Sequence, residues 1–142
     1  KNFWFESLIL MFQKEVADRI IAESNTSKYG RLSILSNWKL NIKKIIDIEP
    51  QSFSPRPKVD STLLLFTPRE NFFELKDAKN LEMITRVFFS QRRKMLKKPF
   101  NKIFKNSKEV SEKFSIDLNL RPQNLDPEMY FRLTKEYEDL KS

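Results

Sequence analysis

The residues best suited to chemistry on a nucleic acid lie in Phe53-Ser54-Pro55-Arg56-Pro57-Lys58-Val59-Asp60-Ser61. Two prolines one residue apart stiffen the backbone and hold Phe53 and Lys58 on a rigid loop leading into a strand. An aromatic ring so placed can stack on a base taken out of its helix, as enzymes acting on bases require. Arg56 and Lys58 could hold phosphate. The residues alone leave a second reading open, a proline-rich turn with Phe53 tucked into the core.

A second group is electrostatic. The chain has 142 residues and a net charge of +8. Residues 83–108 carry nine basic side chains and no acidic one, whereas 1–82 are close to balanced and 109–142 are net acidic. Such a block attracts polyanions and speeds their encounter. Its candidates for RNA contact are Arg86, Arg92, Arg93, Lys94, Lys97 and Lys98. A solvated helix face without a ligand is the competing reading.

Composition removes other chemistries. There is no Cys and no His, so disulfides, zinc fingers, Cys nucleophiles and His-based triads are excluded, and no metal site is expected. An intracellular, cytoplasmic setting is favoured. Gly30 is the single glycine, too few for a phosphate-cradling Gly-rich loop. A nucleotide-type cofactor must therefore be held by something outside this chain. No apolar run reaches membrane-spanning length and no signal peptide is visible. The start at Lys1 reads as a cut inside a longer protein.

The elements that position these groups follow from periodicity. Glu6–Gln13 reads as a central strand with both faces covered. Lys14–Ala22 has helical spacing, Ser24–Ser27 is a polar break, and Tyr29–Trp38 favours a second helix. Leu40–Ile48 is an Ile-rich strand. Pro50–Pro57 is read as irregular, and Val59–Phe66 as a strand closed by Pro68, antiparallel to its predecessor. Asn80–Lys98 shows one long helical pattern, with Leu81, Ile84, Phe88 and Met95 on one face and Arg86, Ser90, Arg93 and Lys97 opposite, stopped by Pro99. Lys102–Phe104 and Val110–Phe114 read as short helices. Asp126 opens a final amphipathic helix to Leu140. The fold class is α/β followed by all-α, with residues 1–68 as one unit and 69–142 as a helical one.

Five motifs occur in the order and spacing of one family. Met11-Phe12-Gln13-Lys14-Glu15-Val16-Ala17-Asp18-Arg19, Tyr29-Gly30-Arg31-Leu32-Ser33, Phe53-x-Pro-x-Pro57-Lys58-Val59-Asp60-Ser61, Phe89-Ser90-Gln91-Arg92-Arg93-Lys94 and Arg121-Pro122-Gln123-Asn124-Leu125 together resemble the ribosomal RNA adenine N6-dimethyltransferases. The resemblance is nearest to the branch that dimethylates two adjacent adenines near the 3′ end of small-subunit ribosomal RNA, whose loss gives kasugamycin resistance. It implies the C-terminal part of a Rossmann-like S-adenosylmethionine-dependent domain plus a small helical RNA-binding domain.

By that resemblance Phe53 packs against the target adenine. Pro55, Pro57, Lys58 and Ser61 shape its loop, and Arg92, Arg93 and Lys94 help grip ribosomal RNA. The adenine amino nitrogen would attack the methyl donor, and no general base is needed on this chain. The family's Gly-rich donor loop, acidic ribose-binding residue and Asn-(Leu or Ile)-Pro-(Tyr or Phe) motif are absent, so the chain alone is expected to bind RNA without turning over. Alternatives are the large-subunit branch linked to macrolide resistance and a non-catalytic nucleic-acid-binding paralogue. Gln13, Lys14 and Glu15 fall beside the cleft, but a Glu15–Arg19 pair on the helix is preferred. A homodimer through an exposed sheet edge is also expected.

Overall fold

A computed structural model describes residues 4–52, 54–55 and 58–141. Its sheet has three strands, β1 (Leu8–Gln13), β2 (Leu40–Ile48) and β3 (Ser61–Pro68), in the order β1-β3-β2. Both pairings are antiparallel, and β2 carries a register irregularity between Lys44 and Ile46. The connection between β2 and β3 is therefore a return, as a proline-bearing link between two strands suggests.

One face of this sheet is covered. Helix α1 (Lys14–Ile21) puts Ala17 and Ile20 into a small core with Leu64 and Phe66 of β3. Successive side chains alternate across a strand, so Leu63 and Leu65 point the other way. That second face stays open: Ile9 and Met11 of β1 and Ile46 of β2 are all more than half exposed.

The larger core is helical. It gathers Leu81, Ile84 and Phe88 of α3 (Ala78–Phe89), Phe100 of α4 (Lys97–Ile103), Val110 of α5 (Ser107–Lys113), and Tyr130, Phe131 and Leu133 of α6 (Pro127–Lys141). Tyr29 and Trp38, which flank α2 (Arg31–Ser36), and Ile34 within it belong to this core too. Phe88 meets both Phe100 and Tyr130 edge-on at 5.5 Å between centroids, the geometry favoured by the ring quadrupoles.

The ends of these helices follow local chemistry. Asp77 caps α3 by accepting from the Lys79 N–H at 2.9 Å, and Asp126 opens α6 by accepting from the Met129 N–H at 2.9 Å. Behind the first cap sits Glu138 of α6, 5% exposed. Its carboxylate accepts from the Lys76 and Asp77 N–H groups and from the Asn80 side-chain amide. Burial raises its pKa, but these donors more than offset that, and the carboxyl lies below its ordinary range.

Several expectations need correction. β1 is an edge strand among the described residues, not a central one, and one of its faces is open. β3 begins at Ser61 rather than Val59. A short 3-10 turn, Pro50–Ser52, interrupts the proline-rich link. The long helix from Asn80 to Lys98 is two helices: α3 ends at Phe89 and α4 starts at Lys97. Between them the chain is held by long-range bonds, Leu96 N–H to Leu120 O at 2.8 Å and Arg121 Nε–H to Arg93 O at 2.9 Å. Pro99 does not stop a helix but sits buried in the first turn of α4, where its missing N–H costs nothing. Met95 is half exposed and leaves the apolar face assigned to it. Arg93 and Lys97 therefore do not share a helix face with Arg86.

Candidate functional site

Where α1 leaves β1, the Lys14 N–H donates to Asp60 O at 2.9 Å and ties the end of β1 to the start of β3. Beside this junction opens a cleft of about 500 Å³, lined by Gln13, Lys14, Asp18, Lys28, Lys58 and Asp60 among others. The proline-rich loop thus enters the sheet at the same end as the strand-to-helix turn at Gln13 and Lys14.

The charges of the cleft are largely paired off. Lys28 and Lys14 both lie 3.5 Å from Asp18. Lys14 also reaches Asp47 at 3.8 Å, and Lys44 reaches it at 2.8 Å. Hydrogen bonds from Lys44 and from the Thr62 hydroxyl hold the Asp47 carboxyl below its ordinary range, and Asp47 in turn holds the Lys44 ammonium above its own. Exposed pairs of this kind contribute little to stability; they do keep the cations in register. Lys58 is exposed and makes no ion pair among the described residues. The Glu15–Arg19 pair forms at 3.1 Å, as the helical spacing suggests.

Phe53, Arg56 and Pro57 lie outside the described residues. Pro55 and Lys58, on either side of the last two, are exposed, and Ser61 is buried as the first residue of β3.

The basic stretch is divided by the break between α3 and α4. Arg86 on α3, Arg93 and Lys94 in the connection, and Lys97 and Lys98 on α4 are exposed. Arg92 is half buried instead. Its guanidinium stands 5.8 Å from the Phe89 ring centre, near Gly30 and Tyr130, and is engaged with protein. Lys94, Lys98 and Lys102 edge a shallow notch with Ser90 and Gln91.

The motif Arg121–Leu125 works as a clasp. Its main-chain carbonyls receive Tyr29 and Tyr130: Tyr29 Oη donates to Leu125 O at 2.7 Å and Tyr130 Oη to Pro122 O at 2.6 Å. Burial pushes both phenols above their ordinary pKa. Gln123 O accepts from the Asn25 N–H, and the Asn124 side-chain amide donates to Asn25 Oδ1 at 2.8 Å. The polar loop between α1 and α2 is thereby bound to the turn before α6. Sequence reasoning missed the roles of Asn25 and Lys28, because both sit in a polar break with no periodicity. Only the run Ser24-Asn25-Thr26-Ser27 hinted at turn chemistry.

Gly30, the single glycine, is not placed to cradle a nucleotide-type methyl donor. Gly30 has extended backbone and opens a six-residue helix, and a Cβ there would sit 3.5 Å from Arg92 Nη1, against protein rather than a cradle for phosphate or ribose. Also among the described residues, no group of His, Cys, Asp and Glu could hold a metal, and no helix is long and apolar enough to cross a membrane.

A three-stranded sheet with α1 on one face, joined to a helical body that carries the basic stretch, defines an α/β unit followed by helices. The family model for ribosomal RNA adenine dimethylase matches residues 2–139, and the chain belongs to that family. It is 79% identical over 140 residues to the "Ribosomal RNA small subunit methyltransferase A" of Pelagibacter ubique (strain HTCC1062), covering 99% of this chain and 53% of that protein. The protein of the same name from Ehrlichia chaffeensis is 42% identical over 135 residues, covering 94% and 50%. The chain thus spans about half the length of the curated relatives it matches. Among solved structures, a dimethyladenosine transferase from Plasmodium falciparum superposes with a TM-score of 0.77 at 28% identity, over 95% of this chain and 59% of that one. The 23S rRNA methyltransferase ErmE superposes with a TM-score of 0.63 at 18% identity, over 94% and 55%, a likeness of fold.

Proposed function

We propose that this chain is part of an S-adenosylmethionine-dependent methyltransferase that dimethylates two adjacent adenines near the 3′ end of small-subunit ribosomal RNA during ribosome assembly in the cytoplasm. The observation that carries this reading is the 79% identity, over nearly the whole chain, to a protein named for small-subunit ribosomal RNA methylation. That identity favours the small-subunit branch over the large-subunit one.

In this reading residues 1–68 supply the wall of the adenine site and residues 69–142 form an RNA-binding helical domain. Phe53 stacks on the flipped base, Pro55 and Pro57 hold the loop, and Lys58 takes a neighbouring phosphate. The position of Lys58, exposed on the rim of the cleft at the end of β1, supports that assignment. Arg86, Arg93, Lys94, Lys97 and Lys98 contact phosphates, and Arg92 acts through its contact with Phe89. The donor is held by the part of the relatives' length that this chain does not span. This chain's task is to position the base, which is where much of the rate of such a transfer originates.

The test is made in the protein that contains this chain. A stacking aromatic contributes roughly 1–3 kcal/mol, so Phe53→Ala is expected to lower methylation about five- to 150-fold while RNA affinity largely survives. Wild-type methylation by that variant would remove Phe53 from the site. Mapping the adenines left unmethylated in a deletion strain tests the choice of substrate.

A further inference from the structure

Tyr137 stands near the C-terminal end of α6, where two shallow clefts meet. One, of about 410 Å³, is bounded by Lys79, Met83 and Arg86 of α3. The other, of about 380 Å³, is bounded by Ile103, Lys105 and Leu140. Tyr137 and Lys141 line both.

Cations outnumber acids along this groove. The acids of the last turns of α6 are engaged elsewhere: Glu136 with Lys113 at 2.7 Å, Asp139 with Lys135 at 3.8 Å, and Glu138 with the start of α3. Lys79, Arg86, Lys105 and Lys141 make no ion pair among the described residues, and Glu82 is the one carboxylate lining either cleft. Lys141 lies 5.4 Å from the centre of the Tyr137 ring and donates to its hydroxyl at 3.3 Å. An exposed lysine on a flexible stem can leave that position, because such a contact contributes only about 0.5–1 kcal/mol at an exposed site.

The basic notch already described lies one turn further along the same helix. Lys79, Met83, Arg86 and Ser90 follow one another at helical spacing along α3, over about 16 Å. Arg86 borders the groove, and Ser90 borders the notch with Lys94, Lys98 and Lys102. Cations spaced along a groove with an aromatic ring at its centre suit a single-stranded nucleic acid, whose backbone tracks the charge while a base stacks on the ring. An acidic peptide would use the cations but leave the ring without a role.

We propose that the Tyr137 groove is a subsite for an unpaired stretch of RNA, with one base stacked on Tyr137 and the flanking phosphates held by Lys79, Arg86, Lys105 and Lys141. This subsite shares Arg86 with the phosphate contacts proposed above and adds the Tyr137 ring, Lys79, Lys105 and Lys141 to them, and it rests on the RNA-substrate reading above.

The test uses this chain, a fluorescein-labelled 12-nucleotide single-stranded RNA and an RNA duplex of matched length, read by anisotropy. Tyr137→Leu is expected to weaken single-strand binding roughly tenfold and duplex binding less than twofold, and Tyr137→Phe to restore the single-strand affinity. Arg86→Gln with Lys105→Gln should flatten the salt dependence of binding. Photo-crosslinking of wild-type chain to thiouridine-substituted RNA is expected to label the peptide that contains Tyr137, a readout independent of whether Tyr137→Leu folds.

Wild-type single-strand affinity in folded Tyr137→Leu, crosslinks confined to residues 91–98, or displacement of the RNA by a poly-glutamate peptide at equal charge would each overturn the proposal. Arg93→Gln serves as the control. If it weakens binding while Tyr137→Leu does not, the groove fails and the RNA reading stands. If the wild-type chain binds neither RNA, both fail.

Discussion

The sheet and the helical body treat their apolar residues in opposite ways. In the helical body Leu81, Ile84, Leu96 and Phe100 are wholly buried and Phe88 is 1% exposed. In the sheet, Ile9, Met11 and Ile46 are 56%, 53% and 53% exposed on one face. The strands are the more apolar as sequence, yet only the helices cover one another. An apolar run thus signals a demand for burial without naming the element that meets it. The charges divide in the same way: those beside the sheet are paired through Asp18 and Asp47, whereas Lys79, Arg86, Lys105 and Lys141 of the helical body make no ion pair among the described residues.

The contrast is sharpest at Phe88. Phe88→Ala removes a ring packed on Phe100 and Tyr130 and is expected to cost about 3–5 kcal/mol, measured by urea denaturation with helical ellipticity as the signal. A cost below 1 kcal/mol would mean that the helical body is not the stable part of this chain.

Glu138 gives the next largest effect, through pH. Its folded pKa is depressed, so its contribution is fully present above the unfolded carboxylate value and is lost as pH falls through the folded one. Between about pH 5 and pH 3, the melting temperature of the wild-type chain should fall more steeply than that of Glu138→Gln. Parallel slopes would deny the buried carboxylate this role.

Met11→Ser is the smallest. At a half-exposed site it is expected to change stability by no more than about 0.5 kcal/mol, and to reduce self-association measured by light scattering. A loss as large as that of Phe88→Ala would show that this face is covered in solution.

Much of this arrangement is legible in the residues. The Ile-rich run gives β2 its limits at Leu40 and Ile48, Asp126 and Pro127 mark the start of α6, and the proline-bearing return makes β2 and β3 antiparallel. The break between α3 and α4 is not legible. The helical period continues through it, and the chain departs only because Leu118, Leu120 and Arg121 bond it from more than twenty residues away. The inward turn of Arg92 is hidden for the same reason: its neighbours Gly30 and Tyr130 are close only in the fold. At the candidate site, the Pro55–Lys58 loop and the turn at Gln13 announce themselves by residue type, whereas Lys28 reaches the cleft from a stretch without pattern.

Trp38 carries a practical consequence. Its indole N–H donates to Phe73 O at 2.5 Å, and the Lys39 ammonium stands 4.6 Å from its ring centre, where the link before β2 meets the link after β3. Trp4, the other tryptophan, is 83% exposed. A Trp4→Phe protein would therefore carry a single indole seated where sheet and helices join. Its emission would follow the opening of that joint in stopped-flow or titration, without an attached dye.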